Sequence, residues 1–152
     1  MELNDHSHQL AAELGDGLPV IDGLRPARRR LYATALRLFS ERGYHAVSVH
    51  DITDALGQRP GALYAHAASK QQLLYELTRI GVTEHRNRLR AAVLEAGAEP
   101  EAQIRALVRA HVLVYLNYPE LARLTIHETR SLDDAQRASA EAIVHETELT
   151  LL

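Results

Sequence analysis

Between Gly57 and Pro60 the chain halts one helix and begins another, and no other feature restricts the fold as tightly. Glycine ends a helix cheaply because it tolerates the left-handed conformation. Proline suits a first turn because its missing N–H is not needed there. After Pro60 come Gly61-Ala62-Leu63-Tyr64-Ala65-His66, and then Ser69-Lys70-Gln71-Gln72, a capping-box pattern that opens a new helix. The helix between the two breaks is therefore very short. Leu63 faces inward and holds it, leaving Tyr64 and His66 on or beside its outer side.

The flanking segments are helical by period. From Pro26 to Arg42, the residues Leu31, Ala35, Leu38 and Phe39 share one face, and Gly43 ends the run. Ser48 caps the next helix with Asp51 three residues on, and Val49, Ile52 and Leu56 form its buried stripe. Past Ser69 a long helix carries Leu73, Leu77, Ile80, Leu89 and Val93 toward Gly97. Pro100 opens another, where Ile104, Leu107, Val108, His111, Val112 and Tyr115 make the clearest amphipathic stripe in the chain and predict a buried face. Asn117-Tyr118-Pro119 breaks it. A shorter helix over 119–130 buries Leu121 and Leu124, a turn follows at 131–134, and a last helix runs to the final residue. No period-two alternation appears, so the fold class is all-α. Residues 1–24, punctuated by Gly15, Gly17, Pro19 and Gly23, read as a flexible tail in which only HQLAAEL has helical character.

The net charge of -3 hides an uneven distribution. Residues 1–24 hold five acids and no Lys or Arg, a balance of -5. Residues 25–75 hold eight cations against three acids, a balance of +5, and residues 76–152 return to -3. A basic block between acidic flanks is the footprint of a local phosphate-binding surface, or of a solvated helix start. Three helices in about fifty residues, with a tight turn between the second and third, is helix-turn-helix arithmetic. The second helix braces, and the third is presented to the major groove of DNA. Small Gly61 and Ala62 allow a phosphate to approach closely. Tyr64, His66 and Lys70 are expected to contact phosphate oxygens, with a half-buried core role as the alternative for Tyr64 and a surface cap for His66.

The span from Arg29 to Leu74 resembles the N-terminal DNA-binding domain of the TetR family of transcriptional repressors. The likeness rests on an ordered set that matches without a gap: Ala35, Leu38 and Phe39; Arg42-Gly43-Tyr44; Ser48-Val49 with Asp51-Ile52; Gly57; Gly61-Ala62-Leu63-Tyr64; and Ser69-Lys70 with Leu73-Leu74. The resemblance implies DNA contact at Ser48, Arg59, Pro60, Gly61, Ala62, Tyr64, His66 and Lys70. Arg59 is the candidate for base reading, since a guanidinium forks onto guanine O6 and N7. Gln58 and Ala67 depart from the family pattern, which has an apolar turn residue and an aromatic there, and they predict looser packing under the recognition helix.

The same resemblance implies three parts: a tail over 1–24, the DNA-binding domain over 25–72, and an antiparallel helical regulatory bundle over 73–152 for ligand binding and dimerisation. That bundle is expected to be truncated, because such repressors dimerise through two further helices. An effector pocket is expected among His85, His111, Tyr115, Tyr118 and His127, whose polar tips interrupt apolar stripes. For His111 a core histidine bonded to a neighbour is the favoured reading over a ligand contact. The motifs over 118–123 and 127–132 are similar to a segment of family members that sense acyl-CoA or lipid metabolites. A metal held by His111, His127 and His145 is not expected, since nothing fixes their mutual distance.

Cysteine is absent, which excludes disulfides, thiolate metal sites and cysteine catalysis. No Ser-His-Asp order, phosphate loop or His-Glu-x-x-His motif is present, so no catalytic residue, enzyme activity, metal or cofactor is expected. The absence of a long apolar run and of a signal peptide points to a cytoplasmic protein off the membrane. The expected function is a ligand-responsive repressor, dimeric on a palindromic double-stranded DNA operator and released by a small hydrophobic or acyl-CoA-like effector. The alternative is a helical ligand carrier or protein-interaction module that has lost DNA binding.

Overall fold

The computed structural model describes residues 15–150, with side-chain surroundings through Glu146. The HQLAAEL segment and the terminal leucines lie outside these residues. The described part is all helical, and it begins with an ordered segment rather than a tail. Leu18 and Pro19 are buried, and Leu18 joins the core. Arg29 holds the segment there: its guanidinium forks onto Asp16 at 2.7 and 2.6 Å and also donates to Leu18 O and Pro19 O. The glycine punctuation predicted disorder because no local pattern announces a long-range clasp of this kind.

Helix α1 (Pro26–Arg42) starts with proline in its first turn and buries Leu31, Tyr32, Ala35, Leu36, Leu38 and Phe39. Gly43 ends it at φ 83°, donating its N–H to Phe39 O at 2.9 Å. A 3-10 turn (Tyr44–Ala46) leads to α2 (Val49–Ala55), whose capping box is complete in both directions. The run after Pro60 is a 3-10 helix (Pro60–Ala65), tighter than an α-helix.

The long helix α3 (Lys70–Glu95) has only half of the expected box. Ser69 Oγ accepts from Gln72 N–H, while the Gln72 side chain turns forward to Glu76. Helix α3 packs on α1, α4 (Pro100–Asn117), α5 (Pro119–Glu128) and α6 (Asp134–Thr150). Its residues Leu73, Leu74 and Leu77 are fully buried, and the core continues without a break from α1 to Leu121, Leu124, Leu132 and Ala140. The expected division after residue 72 thus falls inside one continuous helix and one continuous core. Gly81 permits the close crossing of α3 and α5, because a Cβ there would lie 2.5 Å from Thr125 Oγ1 and 3.2 Å from Leu121 Cγ.

Helix α4 corrects one expectation. Its predicted buried stripe faces outward: Ile104 is 63% exposed, Val108 58% and Val112 49%, with Leu116 exposed alongside them. The buried or half-buried residues Ala102, Ala106, Ala110 and Val114 lie on its other side. The helix is apolar nearly all round, so period alone did not identify which face packs.

Candidate nucleic-acid interface and bundle cavity

The turn into the recognition helix is built locally. Gly57 adopts φ 66°, Gln58 N–H donates to Thr53 O at 2.8 Å, and the buried Thr53 hydroxyl bonds back to Val49 O and His50 O. Leu63 is 1% exposed and Ala67 is buried beside it, so the small residue at 67 is filled around rather than left loose. Ser48, Arg59, Pro60, Gly61 and Tyr64 are exposed, and Ala62 and His66 are half-buried. Tyr64 is 59% exposed and is no core aromatic. The side chains of Arg59, Tyr64 and His66 have no hydrogen-bond or ion-pair partner among the described residues.

Lys70 is placed differently from expectation. Its ammonium donates to Tyr44 O at 3.0 Å and Val47 O at 2.7 Å, and sits 4.1 Å above the Tyr44 ring. These bonds use two of its three donors. Burial lowers its pKa, and nearby Asp51 partly opposes that shift. Lys70 thus ties the 44–46 turn to the start of α3.

Much of the basic block is likewise engaged internally. Arg28 bonds the Tyr32 hydroxyl, Arg29 holds Asp16, Arg37 meets Glu41 and Arg42 lies 4.0 Å from Asp51. Arg25, Arg30 and Arg59 have no such partner among the described residues.

A polar junction that sequence reasoning missed joins this domain to the bundle. Tyr44 N–H donates to Glu128 Oε1 at 3.1 Å, and the Tyr44 hydroxyl donates to Gln71 Oε1 at 2.7 Å. Gln71 passes its own N–H groups to Ser131 O and Gln136 Oε1. Ser131 Oγ bonds both Glu128 and His45 Nε2. Burial raises the Tyr44 pKa, and the Glu128 carboxylate adds to that. No local signal could have found this junction, since its partners are up to 86 residues apart.

Among α3, α4, α5 and α6 lies a cavity of about 190 Å³. Val82, Val114, Leu121, Ile126 and Val144 wall it, and His85, Tyr115 and Tyr118 supply polar tips. His111 adjoins through His85, with Nε2 of His85 2.9 Å from Nδ1 of His111. Their rings and that of Tyr115 meet at 4.9 to 6.2 Å. His111 is exposed rather than a core histidine. Burial, then the charge of His111, lowers the His85 pKa. His127 is exposed and does not line the cavity, so it is removed from the expected set. Its helix turns that side chain outward while Leu121 and Leu124 are buried. Among the described residues no three His, Asp or Glu side chains gather as metal ligands, so His111, His127 and His145 do not converge.

The sequence pattern of the family described as "Bacterial regulatory proteins, tetR family" matches residues 31–77, the stretch from within α1 into α3. Over residues 31–77 the chain is similar to the TetR family. The HTH-type transcriptional repressor KstR2 of Rhodococcus jostii (strain RHA1) is 36% identical over 81 residues, covering 53% of this chain and 39% of that protein. The crystal structure of the TetR-family regulator PfmR from Thermus thermophilus aligns with a TM-score of 0.74 at 29% identity, over 81% of this chain and 66% of that one. AibR, solved in complex with isovaleryl coenzyme A and operator DNA, aligns with a TM-score of 0.70 at 27% identity, over 78% of this chain and 64% of that one.

The chain therefore spans about two fifths of the KstR2 length and just under two thirds of these two solved chains. The TetR-family match ends inside α3, and the remaining helices share the family's helical architecture. These relatives are named as transcriptional regulators, not as enzymes. Among the described residues no helix is long and apolar enough to cross a membrane.

Proposed function

We propose that this chain acts as a ligand-responsive, DNA-binding transcriptional repressor in the cytoplasm. It works as a homodimer on a palindromic operator and releases DNA when a small hydrophobic or acyl-CoA-like effector enters the bundle. The single observation behind this reading is the outward face of Pro60–Ala65, where Arg59, Tyr64 and His66 stand without internal partners above a fully buried Leu63. Arg59 reads a base edge. Tyr64, His66 and Ser48 take phosphate or sugar, and Pro60, Gly61 and Ala62 allow close approach. Lys70 serves first to position the head and offers its remaining N–H to phosphate. Residues 25–72 form the reading head and 73–152 the regulatory bundle. AibR was crystallised with both operator DNA and an acyl-CoA, which supports the pairing of the two activities. An effector that prefers the released form ten- to a hundred-fold supplies about 1.4–2.7 kcal/mol of coupling.

Fluorescence anisotropy with operator and scrambled duplexes across a salt series tests this. Arg59→Ala is expected to lose about 1–3 kcal/mol of sequence preference while keeping its salt slope. Equal binding of operator and scrambled duplex by the parent protein would sink the reading. One observation favours a second reading, a ligand carrier without DNA binding: Arg28, Arg29, Arg37, Arg42 and Lys70 spend their charge or donors within the chain. Effector binding without salt-dependent DNA binding would select it.

A further inference from the structure

The bundle cavity combines a small apolar interior with one unusual polar device. Its volume of about 190 Å³ lies below the ~300–1,000 Å³ of sites for drug-sized ligands. It matches roughly six waters' share of liquid volume. Its valine, leucine and isoleucine walls offer a ligand body no polar partner. The device is the His85–His111 pair.

We propose that this cavity binds a short-chain or single-ring carboxylic acid, its apolar body among Val82, Val114, Leu121 and Val144 and its carboxylate on the His85–His111 pair. The proposal rests on the effector-responsive reading above and names the chemical class of the effector.

The chemistry follows from the inter-ring bond. With His85 Nε2 and His111 Nδ1 facing each other at 2.9 Å, one ring donates and the other accepts. The two outer nitrogens, His85 Nδ1 and His111 Nε2, remain. A neutral pair presents one outer donor and one outer acceptor. A pair carrying one extra proton is cationic, and an outer N–H then gives a carboxylate a charge-assisted bond that is stronger than the one it gives a neutral amide carbonyl. The surrounding charges leave this device in control. On α3, Glu84 also lines the cavity, but Arg88 holds its carboxylate at 2.7 Å, so it does not repel an entering anion. Arg86 on α3 pairs with Glu146 on α6. Tyr115 on α4 and Tyr118 at its end bring hydroxyls to the same lining. Among the described residues His111 is the titratable group in direct contact with His85. Acid binding therefore takes up one proton, and the limit of that linkage is about tenfold in affinity per pH unit.

Isothermal titration calorimetry on the full chain at pH 6, 7 and 8 tests this with isovalerate and benzoate, their amides, and isovaleryl-CoA as probes. The acids are expected to bind at least tenfold more tightly than the matched amides at pH 6, and to weaken toward tenfold per unit as pH rises. His111→Ala alters an exposed residue and preserves the fold by circular dichroism; it is expected to abolish the preference for acid over amide. His85→Gln serves as a second variant with the same expectation. Amides that bind as well as acids, an unchanged preference in both variants, a thioester that binds more tightly than free isovalerate, or no binding by any probe at millimolar concentration each overturn the proposal. Adding the acid to the protein on its DNA separates this from the broader reading. Acid binding without DNA release keeps the site and removes the effector role.

Discussion

Lys70 shows how one side chain decides between two jobs. Its bonds to Tyr44 O and Val47 O close the 44–46 turn, and the Tyr44 ring lies beneath its charge. Replacing it removes two charge-assisted bonds and leaves two carbonyls to find water. Lys70→Met is therefore expected to destabilise the fold by about 1.5–3 kcal/mol in urea denaturation. Its cost in DNA affinity should follow from that loss of order. Glu120 is the opposite case. Burial, then Glu41, raises its pKa, while Arg37 and Arg123 oppose the shift. The folded state thus binds its proton more tightly than the unfolded state. Stability from this group is full below the ordinary value of 4.5 and is lost as pH rises through the folded value. Glu120→Gln is expected to raise the melting temperature at pH 7, with the gain vanishing below about pH 4.5. A constant gain at every pH would remove ionisation as its cause.

At the scale of elements, the helices and the short turn of 60–65 were legible because their signals are local. Ser48 with Asp51, Gly43, Gly57 and the prolines at 26, 60, 100 and 119 each mark an end by chemistry within a few residues. What was not legible depends on packing at a distance. The outward face of α4, the clasp of Arg29 on Asp16 and the Tyr44–Gln71–Glu128 junction all require partners that no window of sequence contains. The cavity was half legible: His85, Tyr115 and Tyr118 were expected there, but which tyrosine or histidine turns inward depends on how α3 and α5 cross. That crossing makes its own prediction. Gly81→Ala sets a methyl against Thr125 Oγ1, which is already bonded to Leu121 O at 2.8 Å. The helices must part, at a cost of about 1–3 kcal/mol. Thermal denaturation is expected to show that loss, and calorimetry with benzoate a weakened site.

For the whole molecule, the exposed row of Ile104, Val108, Val112 and Leu116 is out of keeping with a free monomer surface. A second copy is the partner that fits the palindromic operator proposed for this chain. Sedimentation is expected to find self-association that Val108→Asp with Leu116→Asp abolishes, with helicity unchanged. A monomeric parent would exclude this face as the route to symmetry. Helix α3 sets the remaining mechanical terms. Its 26 residues make an uninterrupted rod about 39 Å long, with the 60–65 turn just ahead of its first residue and His85 about three fifths of the way along. Such a rod converts rotation into displacement. A tilt of about 5° about its exposed C-terminal end would move the recognition end by about 3 Å, close to the rise of two helical residues and enough to carry the Arg59 guanidinium out of reach of the base it is proposed to read.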